Sequence, residues 1–384
     1  MWVLAASVIA SPPSGACGIA VRDGKVDRLI LEGELPPTGE KVLDFRPHFI
    51  GPGTIDVHTH GAVECSFSSG PAEDTLTICR YRAITGATGL LATITGVWDE
   101  LLSSLEKLGR LTDRPTGGAD LLGIHVEGPF LNPERRGAID QATMRPPTVD
   151  DLHRMQDAAG GAIRMMTVAP ELPGALPVIE AMVRLGIVPS AGHSDATYGE
   201  LIAGIEAGVR KSTHTFNAMR PLHHREPGTV GAILSDSRIT AELIPDGVHV
   251  HPAVAATLIR TKGAGGVALV TDGVRYSGLA DGIYERMGRG RAIVKDGVAV
   301  TEDGTIAGSV SPMNRNMRVL RDEAGITLDA GFEMAAQVPA TLLGLTTRGR
   351  LTVGNAADFA VYREADLTCV ATFIRGVQVF GAPG

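Results

Sequence analysis

Five short stretches of this chain set metal-binding and acid–base side chains against apolar runs. Asp56-Val57-His58-Thr59-His60 carries a His-x-His pair, and the apolar run 121–126 ends in Glu127 with Gly128-Pro129 directly behind it. His193 lies in Gly192-His193-Ser194, His214 in Ser212-Thr213-His214-Thr215, and Asp272 in Thr271-Asp272-Gly273. Alternate residues of an extended chain share a face, so His58 and His60 can address one ion. A lone acid at the end of a buried run is costly unless a metal ion, another cation or a proton answers it. Imidazole and carboxylate together are the donors that zinc and similar borderline ions prefer, with one position left open for water. Glu127, His193 and His214 supply three such ligands. An ion so held lowers the pKa of water to about 7 and polarises a carbonyl, which makes Asp272 the natural general base. The chemistry is metal-assisted hydrolysis of an amide-like bond. Each residue alone has a blander explanation: a hydrogen-bonded loop histidine, a salt-bridged core acid, a turn aspartate. Their joint placement argues for a site. His125, one pleat out of step with its strand, reads as buried structure or as a partner behind the ligands.

The elements that position these residues follow from periodicity. Short apolar runs at 54–58, 89–95, 121–126, 164–169, 187–191, 211–214, 239–244 and 267–271 read as strands. Helical patterns at 72–85, 98–109, 149–159, 175–185, 196–207, 227–234 and 252–261 alternate with them. Eight strands alternating with helices predict a (β/α)8 TIM barrel, whose active site lies at the C-terminal ends of its strands, where the polar residues above fall. A doubly wound sheet would carry a Gly-rich phosphate turn after its first strand, and none is present. Residues 1–49 read as short strands with a hairpin signal at Asp23-Gly24, and the chain from 346 to 384 returns to that texture. Both termini are expected to build one small β-sandwich domain beside a hydrolase domain at 50–345. The Gly-rich stretch 278–304 reads as an excursion with a ribbon at 291–300, followed by helices at 312–323 and 331–343.

Composition narrows the function. A net charge of −8 argues against nucleic acid or an anionic membrane as partner. Forty-eight Gly and 23 Pro suit many loops between short elements. Cys17, Cys65, Cys79 and Cys369 are scattered without a CxxC, which fits a reducing cytoplasm and argues against a disulfide scaffold or a Cys-type zinc site. The apolar N-terminus lacks a positive n-region, and Ser14 stands where a lipobox needs an aliphatic residue, so a first strand is expected there. No apolar run reaches membrane-spanning length.

The segments PGTIDVHTHG, HVEGPF, AGHSDA, THTFNAM, HHREPG, DGVHV, TDG and IAGS, in this order over residues ~50 to 360, resemble the N-acetylglucosamine-6-phosphate deacetylases of the amidohydrolase superfamily. The resemblance implies a (β/α)8 barrel with a terminal β-sandwich, a cytoplasmic homodimer, and removal of an acetyl group from an amino-sugar phosphate. It implies Glu127, His193 and His214 as metal ligands, with His58 and His60 admitting a second ion, zinc foremost. It implies Asp272 as catalytic acid/base, with His249 orienting the amide or stabilising charge. Substrate contacts implied are Ala138, Ile139, Asn217, Ala218, Arg225, Asp246, His249, Ile306, Ala307 and Gly308, with Arg225 a phosphate clamp that can reach across a dimer interface.

Other amidohydrolases bridge two metals with a carboxylated lysine. Here the only lysine between His60 and His193 is Lys107, in the charged setting Ser104-Leu105-Glu106-Lys107, so Glu127 takes the bridging role. Two departures bear on substrate. Ile139 replaces a usual histidine and motivates an alternative N-acylated sugar, N-acetylgalactosamine 6-phosphate or a non-phosphorylated one. Gly273 replaces a usual alanine, an exchange expected to be mild. A non-catalytic sugar-phosphate sensor is disfavoured because Asp272 and all three ligands are kept.

Overall fold

The computed structural model describes residues 1–285, 290–295, 297–302, 304 and 306–382. Its centre is a parallel sheet in which β1 (Thr54–Thr59), β2 (Ala87–Ile94), β3 (Asp120–Glu127), β4 (Ile163–Val168), β5 (Val188–Ala191) and β6 (Lys211–Ser212) pair in chain order. β7 (Ala241–Leu243) and β8 (Val267–Leu269) form a separate parallel pair. Parallel bridges link Lys211 to Thr240 at one seam and Thr59 to Gly273 at the other. The Ser212 amide donates to the Thr240 carbonyl at 2.9 Å, and the His60 amide to that of Gly273 at 2.7 Å. The sheet is curled.

Between the strands run α1 (Ala72–Ile84), α2 (Trp98–Gly109), α3 (Val149–Ala158), α4 (Ala175–Arg184), α5 (Tyr198–Ala207), α6 (Gly228–Ser235) and α7 (Pro252–Lys262). Their starts have local causes. Thr148 caps α3, and Thr197 with Glu200 forms a capping box that opens α5 two residues later than periodicity predicts. α8 (Met313–Ala324) ends at Gly325 in the left-handed region. The expected helix at 331–343 is interrupted instead: Leu328–Phe332 and Val338–Leu342 are α-helical, with a π turn over Glu333–Gln337. β6 and β8 are shorter than predicted. His214 and Asp272 adopt φ of 31° and 46°, which no strand can continue through.

Both termini build two further sheets. One holds Trp2–Leu4, Gly18–Arg22, Lys25–Ile30 and Val42–Asp44; the other holds Ser7–Val8, Phe49–Pro52, Phe359–Tyr362, Cys369–Ile374 and Val377–Phe380. Val3, Val21, Phe45, Ile50, Phe359 and Phe373 from both sheets share one apolar cluster. An antiparallel sheet of Gly282–Glu285, Arg291–Lys295, Val298–Thr301 and Ile306–Ser309 follows β8 and bridges back to Gly273 through Ser309. Of the predicted excursion at 278–304, residues 286–289, 296 and 303 lie outside the described residues.

Arg348 ties the terminal strands to the N-terminal edge of the parallel sheet. Its Nε lies 2.6 Å from Asp358 Oδ2, Nη1 donates to Asp120 Oδ2 at 2.9 Å, and Nη2 donates to the Thr88 carbonyl at 2.9 Å. The Asp358 side chain is 2% exposed, and burial pushes its carboxyl up against the pull of Arg348. Removing one partner of a buried pair leaves the other charge uncompensated. Arg348→Met should therefore lower unfolding stability by about 3 kcal/mol in chemical denaturation, with Asp358→Asn in the same chain recovering part of the loss.

Candidate metal centre

At the C-terminal ends of the strands the ring nitrogens and carboxylates meet. Glu127, the last residue of β3, puts Oε1 at 3.2 Å from His193 Nε2, 3.2 Å from His214 Nε2 and 3.4 Å from His58 Nε2. Its Oε2 lies 3.2 Å from His60 Nε2. Asp272 Oδ1 lies 3.4 Å from His58 Nε2 and 3.3 Å from His60 Nε2. The atoms divide into two groups, each spanning no more than 4.8 Å: Glu127, His193 and His214 in one, His58, His60 and Asp272 in the other. Glu127 touches residues of both groups.

Tautomers follow from the far sides of the rings. His193 Nδ1 donates to the Arg135 carbonyl at 2.9 Å, and His58 Nδ1 donates to Glu242 Oε1 at 2.7 Å. In the neutral rings each of these Nε2 atoms is left with a lone pair, aimed at a carboxylate oxygen that also offers only lone pairs; in the protonated ring the same Nε2 donates to that oxygen. His193 Nε2 and His214 Nε2 stand 3.1 Å apart, and His58 Nε2 and His60 Nε2 3.3 Å apart. Convergent lone pairs at these distances fit a divalent cation between them. The electrostatics agree. Burial works against charge on His58, but Glu242, Asp272 and Glu127 outweigh it and hold the ring well above its usual range. His60, opposed by burial but bonded to Asp272 and Glu127, is raised to about 9. Burial pushes Glu127 up, and His58, His193 and His214 together hold it well below the carboxylate range. The pocket is built to contain positive charge.

A second layer, not picked out from the sequence, orients the ligands. Glu242 on β7 is fully buried, ion-paired to Lys211, bonded to His58 Nδ1 and accepting from the His214 amide at 2.7 Å. Asp56 accepts from Thr271 Oγ1 at 2.5 Å, from the Thr271 amide at 3.2 Å and from the His58 amide at 3.3 Å. The available signals were one acid inside the predicted strand 239–244 and a lysine opening the strand at 211. His125 lies behind His58, ring centroids 4.7 Å apart, between Thr93 Oγ1 and Thr167 Oγ1. Burial and the charge of His58 hold it well below its usual range, so it is a neutral partner behind the ligands.

The remaining expected residues distribute unevenly. His249 Nδ1 is bonded to Asp246 Oδ2 at 2.7 Å, while Asp246 Oδ1 accepts from the amides of Val248 and His249. Asp246 thus spends its carboxylate on holding His249. A Cβ on Gly137 would lie 3.6 Å from His193 Cε1 and 3.7 Å from Ala218 Cβ, so the 137–139 turn and Ala218 flank the ligand. Ala138 is exposed; Ile139 and Asn217 are half-buried. Gly308 packs on Val274 and the Asp272 carbonyl, to which the Ser309 amide donates at 3.2 Å. Ile306 shares that strand with Ala307, whose side chain lies outside the description. Arg225 is exposed beside His224, with Nη1 2.7 Å from its Nε2. Lys107 donates to the carbonyls of Phe67 and Gly70 at 2.8 and 2.5 Å and plays no bridging part.

The sequence and the fold have counterparts among known proteins. A family model described as "Amidohydrolase family" matches residues 49–379. An N-acetylglucosamine-6-phosphate deacetylase from Bacillus subtilis is 34% identical, over 94% of this chain and 92% of its own length. The crystal structure of an N-acetyl-D-glucosamine-6-phosphate deacetylase from Mycobacterium smegmatis superposes with a TM-score of 0.91 at 33% identity, covering 99% of this chain and 100% of that one. A mutant from the same organism, in complex with N-acetyl-D-glucosamine-6-phosphate, superposes with a TM-score of 0.89 at 33% identity, covering 99% of each chain. With the family model matched over most of its length, the chain belongs to the amidohydrolase family.

Proposed function

We infer that this chain hydrolyses the N-acetyl group of N-acetylglucosamine 6-phosphate, giving acetate and glucosamine 6-phosphate in amino-sugar catabolism. The observation that carries the reading is Glu127 Oε1 at 3.2 Å from both His193 Nε2 and His214 Nε2, with Asp272 beside them. The relatives with this fold that are named for the same deacetylation support it. A bound divalent cation, zinc foremost, would supply polarisation of the acetyl carbonyl and a more acidic water. Glu127, His193 and His214 would hold it, and His58, His60 and Asp272 offer a position for a second.

Burial raises the Asp272 carboxyl, but His58 and His60 outweigh burial and hold it below the usual range, which keeps it a base. Asp272 accepts the proton of the water as its oxygen bonds to the acetyl carbon. It returns that proton to the nitrogen as the C–N bond breaks. His249, tethered by Asp246, steadies the charge that grows on the carbonyl oxygen. Ala138, Ile139, Asn217, Ala218, Ile306, Ala307 and Gly308 shape the sugar pocket. Arg225 clamps the phosphate. Its exposed loop suits a homodimer in which it serves the partner's site.

The bridges at both seams support reading the eight strands as one closed barrel over 50–345. The shared cluster of the terminal sheets supports a β-sandwich of 1–49 with 346–384. Among the described residues no helix is long and apolar enough to cross a membrane. A cytoplasmic site is supported by free thiols at Cys17, Cys65, Cys79 and Cys369.

Asp272→Asn should keep the melting temperature and the ion held by Glu127, His193 and His214, while kcat falls by about 100-fold or more. Near-normal turnover would remove Asp272 from the base role. Hydrogen bonds to a charged phosphate are worth about 1.5–3 kcal/mol each. The free sugar should therefore show a kcat/KM at least about tenfold below that of the 6-phosphate, and Arg225→Ala should erase most of that difference. Faster turnover of the galactosamine epimer in the same panel would move the assignment to that sugar.

A further inference from the structure

A second buried cation stands beside the metal centre, and the hydrolytic reading makes no use of it. Arg82 lies on α1, is 1% exposed, and ranks among the largest fully buried side chains. Its Nη2 donates to Thr59 Oγ1 at 2.6 Å and to the Gly61 carbonyl at 2.8 Å. Among the described residues Nε and Nη1 have no hydrogen-bond partner. A guanidinium so buried costs more than an apolar side chain of the same volume. Its two hydrogen bonds go to the residues immediately before and after His60.

The same guanidinium dictates the residue at 273. A Cβ on Gly273 would lie 2.1 Å from Arg82 Nη2 and 3.0 Å from Ser277 Oγ, so any side chain there forces Arg82 to withdraw. The exchange expected to be mild thus falls on the contact with Arg82. Gly273 follows Asp272, and its carbonyl accepts from the His60 amide at 2.7 Å, the Gly61 amide at 3.0 Å and Thr59 Oγ1 at 3.3 Å. The Asp272 amide donates to the His58 carbonyl at 2.9 Å. Arg82, residues 59–61 and Gly273 form one interlocked unit, and the distance it governs is the 3.3 Å from His60 Nε2 to Asp272 Oδ1.

We propose that Arg82 is a positioning residue: by gripping Thr59 and Gly61 and filling the space over Gly273, it fixes the spacing of His60 and Asp272. That spacing sets both the attack geometry of the base and the ion position that the two residues share. The kinetic part of the test rests on the deacetylase reading; the metal part does not.

The experiment is a double-mutant cycle in the full chain: Gly273→Ala, Arg82→Met and the pair, with Arg82→Lys alongside. It reads kcat and KM on N-acetylglucosamine 6-phosphate, zinc retained after reconstitution of chelator-treated protein, and melting temperature. Misplacing a reacting group by about an ångström costs up to about 100-fold. Gly273→Ala alone should lower kcat at least about tenfold, change KM less than about threefold, and reduce the zinc retained. In the Arg82→Met background the same change should cost less than about threefold, because the space is already free. Arg82→Lys, whose stem is one bond too short to place its ammonium where Nη2 stands, should fall with Arg82→Met. An equal effect of Gly273→Ala in both backgrounds, or a melting shift without change in kcat or zinc, would overturn the proposal. Should Gly273→Ala fail to fold, Thr59→Val replaces it: its loss should be non-additive with Arg82→Met, and an additive loss, or none, refutes the grip. A wild-type chain inactive on the sugar phosphate would count against the deacetylase reading, leaving zinc retention to decide on Arg82.

Discussion

One carboxylate oxygen facing three imidazole nitrogens is the contact on which the mouth of the sheet depends. Glu127 Oε1 has His58, His193 and His214 Nε2 at 3.2 to 3.4 Å, and in the neutral rings the His58 and His193 nitrogens, like the oxygen, offer lone pairs there. Like dipoles converging in a buried pocket repel unless a positive charge stands among them. Protons on His58 and His60 satisfy the pocket in one way, a divalent cation in another. The two compete for the same electrons, so loading the site with metal must release protons.

Holding that convergence requires a second layer of charge deeper in the fold. Glu242 fixes the His58 ring through Nδ1 and the His214 backbone through its amide, and Lys211 neutralises Glu242 with neither partner exposed. A buried ion pair of this kind is weak evidence for stability, since apolar residues of equal volume often serve as well. What it secures is orientation: the outer partner of a ligating histidine sets which nitrogen carries the lone pair and where it points. The loop of His193 is held in a comparable way. Glu171 accepts from Ser194 Oγ at 2.7 Å and from the Asp195 amide at 2.6 Å, and Asp195 pairs with Arg135 and Arg220.

Much of this was legible in the sequence because periodicity and strand-end chemistry are local. The apolar runs locate the strands, and the candidate ligands are the polar residues at their ends. Position 127 stands out as an acid closing an apolar strand, and Lys107 is disqualified as a bridge by its helical surroundings, as its bonds to Phe67 and Gly70 bear out. What escaped is what depends on pairs far apart in the chain. Glu242 and His58 are separated by 184 residues, Arg82 and Thr59 meet only when α1 folds back against the sheet, and the π turn at 333–337 interrupts a pattern that reads as continuous helix. No local pattern records that a hydrogen at 273 leaves the space an arginine fills.

The strand ends carry a further constraint that composition hides. His193, His214 and Asp272 all have positive φ, at 46°, 31° and 46°. For residues other than glycine this conformation costs about 1–2 kcal/mol each and persists only where neighbours over-determine it. The neighbours are on hand: the Asn132 amide donates to the His193 carbonyl, Glu242 accepts the His214 amide, and the His58 carbonyl accepts that of Asp272. A left-handed residue ends the ladder and swings the side chain out of the pleat. A β-strand sends alternate side chains to opposite faces, and His193, His214 and Asp272 lie two to three residues beyond the ends of β5, β6 and β8, where the turned backbone re-aims each side chain. The positive φ at these three positions ends each ladder where the candidate metal-binding side chains begin.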